Sequence, residues 1–132
     1  MKLPAHSKGF TLIEILIVVA IIGILAAIAI FSYRYVIDNA RRTSAISALG
    51  TVRTEMEAYI MDKGSYPLDI NFTNFTDQDG DPILVAINWD RIKDKVSSWD
   101  SYTLGGNTYT LTVKALDSNH TVITLTPKGV TY

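Results

Sequence analysis

The chain has 132 residues, 48% of them apolar, with 12 basic side chains against 13 acidic ones. That length fits one domain of modest size, with a limited core and marginal stability. The absence of cysteine excludes a disulfide framework, a thiolate metal site and a thiol nucleophile, and the near-neutral charge gives no reason to expect a nucleic-acid partner.

The first nine residues, MKLPAHSKG, are polar and carry Lys2, His6 and Lys8. In a secretory signal the apolar stretch precedes the small-residue cleavage site. Here Gly9 comes first and the apolar stretch follows. A cut after Gly9 would discard a polar leader, 1–9, and keep the apolar segment.

That segment, FTLIEILIVVAIIGILAAIAIF, occupies residues 10–31. A helix needs roughly 20 apolar residues to cross a bilayer core, so it is long enough to span. No other stretch is apolar enough to enclose it on all sides as a buried core helix. Glu14 interrupts it. A carboxylate at that depth is costly unless protonated or paired, and it marks a functional site by default. The matching cation is the α-ammonium of Phe10, created by a cut after Gly9. Within one helix the two lie about a turn apart. Between copies shifted along a common axis, the Phe10 amine of one can meet Glu14 of another and set axial register, as a buried polar residue does in a coiled coil. Gly23 and Ala27 form a small-xxx-small pair that lets helices approach closely in lipid, although Gly and Ala are also simply common in membrane helices.

Lys8-Gly9-Phe10-Thr11-Leu12-Ile13-Glu14 and the run that follows, through Ile21-Ile22-Gly23-Ile24-Leu25-Ala26-Ala27-Ile28-Ala29-Ile30, resemble the signal of type IV pilins and type II secretion pseudopilins. The resemblance covers about the first quarter of the chain. It implies that a membrane aspartyl peptidase cuts between Gly9 and Phe10, that Phe10 is then N-methylated, and that Glu14 is needed for assembly. The implied partners are further copies of the chain, other pilin-like subunits, the prepilin peptidase, an inner-membrane assembly platform, and membrane lipid before assembly. The implied locations are the inner membrane and then an extracellular or periplasm-spanning filament. Many pilins carry Pro directly after the apolar run, where this chain has Phe31. Without that helix breaker a more continuous helix is expected.

Residues 32–63 change character. Ala45, Ala48, Leu49, Val52, Met56, Tyr59 and Ile60 recur at helical spacing and form one stripe, while Arg41, Arg42, Arg53, Glu55 and Glu57 lie mostly elsewhere. Asp38–Arg42 and Arg53–Glu57 are i,i+4 pairs. Lys63, Gly64 and Pro67 together form a helix stop. One helix over about residues 10–63 is expected, roughly 80 Å at 1.5 Å per residue. Phe31, Tyr33 and Tyr35 read as interfacial or packing residues.

Residues 64–132 form the expected head. Residues 64–81 are loop-like, and Gly64-Ser65-Tyr66-Pro67 resembles the helix exit of many pilins. A short helix is expected over 90–96, with Ile92 and Val96 on one face. Strands are expected over 101–104, 108–115 and 121–126, where the period falls to two. Gly105-Gly106-Asn107 joins the first pair and Asp117-Ser118-Asn119 the second. Tyr109, Leu111 and Val113 share a face; Val122 is out of phase with Ile123 and Leu125. A three-stranded antiparallel meander laid on the helical stripe gives an α+β fold, the pilin-like arrangement.

Other motifs carry less. Asp77, Asp79 and Asp81 alternate as at the start of a calcium loop, but Pro82 and Asn88 stand where that loop needs Gly and Glu, so they read as a solvated acidic turn and no metal is assigned. His120 has no partner cluster for zinc. Nothing marks a catalytic nucleophile or a cofactor fingerprint, so neither an enzymatic activity nor a cofactor is expected. Asn71, Asn74 and Asn119 begin glycosylation sequons, read here as loop polarity, and Arg41-Arg42 is too small a basic cluster to indicate DNA. The expected function is a structural subunit of a type IV pilus. The alternatives are a type II secretion pseudopilin and a membrane-tethered tip or binding module that never polymerises.

Overall fold

The computed structural model describes residues 9–132, so leader residues 1–8 lie outside the described residues. The chain divides into two compact units, the first ending at Val36 and the second covering Ile37–Tyr132. One helix, α1 (Leu12–Lys63), contributes to both.

In the first unit every described side chain through Val36 is exposed. Helical hydrogen bonding runs without a break past Phe31, as the lack of Pro there predicts. The helix is long and apolar enough to cross a membrane.

In the second unit α1 ends where expected. Gly64 takes φ 81°, a left-handed cap suited to Gly, and its N–H donates to the Ile60 carbonyl at 2.8 Å. A loop follows, then two 3-10 turns, Trp89–Arg91 and Lys93–Lys95, in place of the short helix expected over 90–96. Asn88 caps the first by accepting the Asp90 N–H at 2.8 Å. Ile92 and Val96 are both buried, as their spacing suggested, but Val96 already belongs to a strand.

The sheet has four antiparallel strands in the order β1 (Val96–Gly105), β2 (Thr108–Ala115), β3 (Val122–Thr126) and β4 (Gly129–Thr131). The expected meander of three strands is thus short by one. β4 is three residues long and too brief to show a period; it exists by pairing Val130 with Leu125. β1 starts five residues before its predicted beginning. Register shifts between Val96 and Ser98 and between Trp99 and Ser101 break the alternation that a period-two reading needs. Gly105 pairs with Thr108, leaving Gly106-Asn107 as a two-residue hairpin turn with Gly106 at φ 63°.

The core forms where the two periodicities meet. Ala45, Leu49, Val52 and Met56 from α1 join Tyr109, Leu111, Val113, Ala115, Ile123 and Leu125 from the sheet, all fully buried. Val122 faces outward, half exposed, which resolves the phase of β3. Each large buried aliphatic stabilises by roughly 1.5–3 kcal/mol relative to exposure.

Polar contacts hold α1 to the loops and depart from the expected pairing. Arg53 does meet Glu57 at 3.2 Å and also donates to the Pro127 carbonyl at 3.0 Å. Asp38 and Arg42 do not meet. Asp38 accepts the Ser118 N–H at 3.0 Å, and Arg42 pairs with Asp117 at 3.1 Å. The reason is reach: the β2–β3 turn brings a buried carboxylate and a free backbone N–H against this flank of the helix. Glu55, placed by periodicity among the polar residues, is buried, and its Oε2 accepts the N–H groups of Val85 at 2.8 Å and Ala86 at 3.1 Å.

Candidate assembly surface

The helix start is built from Thr11 and Glu14. Thr11 precedes the first helical residue, and its Oγ1 accepts the Glu14 N–H at 3.3 Å. Glu14 reaches back, its Oε2 accepting the Thr11 N–H at 2.8 Å and the Thr11 hydroxyl at 2.9 Å. This is a capping box, each residue satisfying a backbone donor that the helix end leaves free. The Thr-x-x-Glu spacing that builds it is legible in the sequence. Both bonds fall on one oxygen, so Oε1 has no partner among the described residues. A cut after Gly9 leaves the Thr11 amide intact, so the box survives it.

Gly9 and Phe10 precede the helix without regular structure, and Phe10 is 83% exposed. Phe10 also borders an apolar groove of about 650 Å³ flanked by Leu12, Ile15, Leu16 and Val19. Gly23 and Ala27 lie one turn apart on α1, and a Cβ at Gly23 would meet open space. Phe31, Tyr33 and Tyr35 are exposed. The surface thus presents continuous apolar side chains, one carboxylate with a spare oxygen, and a flat spot at Gly23.

The remaining motifs lie in the second unit and have local structural partners. Asp77 is buried, not solvated as the sequence suggested. Its Oδ1 accepts the N–H groups of Asp79 at 2.9 Å and Asp81 at 2.8 Å, and its Oδ2 accepts the Tyr59 hydroxyl at 2.7 Å. Burial pushes this carboxyl up, but the Tyr59 hydroxyl and the two backbone donors outweigh it and hold the pKa below the usual carboxylate range. Burial, and then the bond to Asp77, raises the Tyr59 phenol. Asp81 pairs with Lys63 at 2.7 Å. Among the described residues no group of three acidic or histidine side chains converges to hold a metal ion. Arg41 donates to the Leu116 carbonyl at 3.3 Å, and His120 takes φ 47° in the β2–β3 turn.

Comparison with known proteins finds sequence likeness in the N-terminal half. Residues 4–30 match the family model described as a prokaryotic N-terminal methylation motif. The chain is 45% identical to a fimbrial protein, EcpC, of Eikenella corrodens over 62 residues, 47% of this chain and 40% of that one. It is 47% identical to the type IV major fimbrial protein FimA of Dichelobacter nodosus over 75 residues, 56% of this chain and 48% of that one. It is 44% identical to a fimbrial protein of Pseudomonas aeruginosa over 82 residues, 55% of this chain and 53% of that one. The chain spans about half the length of the curated relatives it matches. No solved structure matches it significantly. In its N-terminal methylation motif and its N-terminal half, the chain is thus similar to proteins named as type IV and other fimbrial subunits.

Proposed function

We propose that the protein is a structural subunit of a type IV pilus, anchored in the inner membrane by residues 10–31 and polymerised into a surface filament after cleavage between Gly9 and Phe10 and N-methylation of Phe10. The reading rests on one observation: a carboxylate oxygen of Glu14 left without a partner on an otherwise apolar, wholly exposed helix surface. Lipid is as apolar as these side chains, so moving the helix from bilayer to filament gains little from the hydrophobic effect. A polar pair and close packing must therefore supply the preference. Thr11 fixes one Glu14 oxygen; the other accepts the Phe10 ammonium of an adjoining subunit. Gly23 and Ala27 allow helices to approach. The contact is head-to-tail and does not close, which generates an open filament.

The partners in this reading are other copies and pilin-like subunits, the prepilin peptidase and an assembly platform. The fimbrial names of the relatives favour the pilus over the secretion pseudopilus. Glu14 weighs against a subunit confined to the filament tip, which has no neighbour above it to engage.

The test replaces Glu14 with Ala in cells that make the filament. The variant should insert and be trimmed like the parent, yet leave sheared surface fractions without filaments by electron microscopy. Filaments at parental yield would overturn the pairing. A variant with a bulky residue in place of Gly9 should retain the leader by mass spectrometry of the membrane fraction.

A further inference from the structure

In the second unit, a groove of about 240 Å³ runs between α1 and the 3-10 turns. Ser44, Ser47, Ala48 and Thr51 form its helical wall, and their spacing of three and four puts them on one face. Arg91 and Lys95 form the opposite wall on either side of buried Ile92. No carboxylate lines the groove. Asp90 is occupied by Lys93 at 2.6 Å, and Asp94 is not among the lining residues. Neither Arg91 nor Lys95 has an ion pair among the described residues. Thr51 Oγ1 donates to the Ser47 carbonyl at 3.3 Å, whereas the hydroxyls of Ser44 and Ser47 have no acceptor among the described residues.

We propose that this groove binds a phosphate group. Four donor side chains without acceptors, two of them cationic, line one concave site. A carboxylate offers two oxygens, which a single guanidinium already satisfies. A phosphate offers three or four, enough for the Arg91 fork, the Lys95 ammonium and the two serine hydroxyls together. Ala48 and Ile92, both buried, supply the apolar part of the lining. The cations are exposed, so the interaction weakens as salt rises. The phosphate can be the free ion or the headgroup of an anionic lipid; the chemistry recognised is the same.

The experiment is an NMR titration of the full chain in neutral detergent micelles, following the backbone amides of Ser44, Ser47 and Arg91. One arm adds inorganic phosphate at constant ionic strength with chloride as reference; the other adds dihexanoyl phosphatidic acid. Saturating shifts are expected at these amides, with affinity reduced about tenfold or more in the double variant Arg91→Gln, Lys95→Gln, as the loss of charge-assisted bonds implies. Lys128→Gln should leave the affinity unchanged. Saturation with inorganic phosphate identifies the free ion, and saturation with the lipid alone identifies the headgroup. Non-saturating shifts no larger than those caused by chloride in both arms, or equal affinity in the double variant, would overturn the proposal.

Discussion

Asp117 ties the β2–β3 turn to α1, and removing its carboxylate tests how much that clamp contributes. It is 1% exposed and meets three donors: the Arg42 guanidinium at 3.1 Å, the Thr121 N–H at 2.8 Å, and the Thr121 hydroxyl. Breaking a buried ion pair from one side costs about 3–5 kcal/mol, because the remaining charge loses its compensation. Arg42 is 29% exposed at its side chain and can recover some hydration, which lowers the figure. Its Nε is already buried without a partner, which raises it. Asp117→Ala should therefore destabilise the second unit by about 3 kcal/mol, with a fall in Tm on the order of 12–24 °C for a domain of this size. Asp117→Asn keeps the shape and should cost less. The assay is thermal and urea denaturation of the full chain in neutral micelles, followed by tryptophan fluorescence. Burial pushes the Asp117 carboxyl up, but the hydroxyl and N–H of Thr121 and then Arg42 hold its pKa below the usual range. A depressed native pKa means that the stabilisation is present above the unfolded value, near 3.9, and is lost as pH falls through the native one. The gap between parent and Asp117→Ala should accordingly be full at neutral pH and shrink in acid below about pH 4. A gap under about 0.5 kcal/mol at pH 7, or one that does not narrow in acid, would refute the clamp.

Three further outcomes are expected. Tyr109 is fully buried, and its hydroxyl has no hydrogen-bond partner; Tyr109→Phe removes an uncompensated polar atom and should be neutral or stabilising by up to about 1 kcal/mol in the same melts. Glu55→Ala frees the N–H groups of Val85 and Ala86, both in exposed residues that water can reach, so the loss should be about 1–2 kcal/mol, with faster hydrogen exchange confined to those two amides. Gly23→Leu fills the flat spot on the apolar helix surface; leader removal should be normal while the yield of sheared filaments drops several-fold, and an undiminished yield would remove Gly23 from the packing surface.

Much of this molecule is legible residue by residue because its largest features are local. The apolar run that starts right after Gly9 declares a helix segment long and apolar enough to cross a membrane, and the 3.6-residue recurrence from Ala45 to Tyr59 declares a buried face; both depend on neighbours within a turn or two. β2 was likewise readable, since Tyr109, Leu111 and Val113 alternate without interruption. The capping box of Thr11 and Glu14 is equally local, since it needs only two residues three apart at the helix start.

Chain order discloses the local Arg53–Glu57 pair but not the long-range partners of the other charges. Glu55 looks like a surface acid until the loop at Val85, 30 residues on, delivers two N–H groups to it, and Arg42 looks like the mate of Asp38 until a turn 75 residues away presents Asp117. A charged side chain settles wherever desolvated donors and acceptors converge, and only the folded backbone brings them together. The same holds for β4, whose three residues become a strand solely because β3 offers them an open edge. Periodicity records which face is buried; long-range hydrogen bonding decides what each buried polar group is buried against.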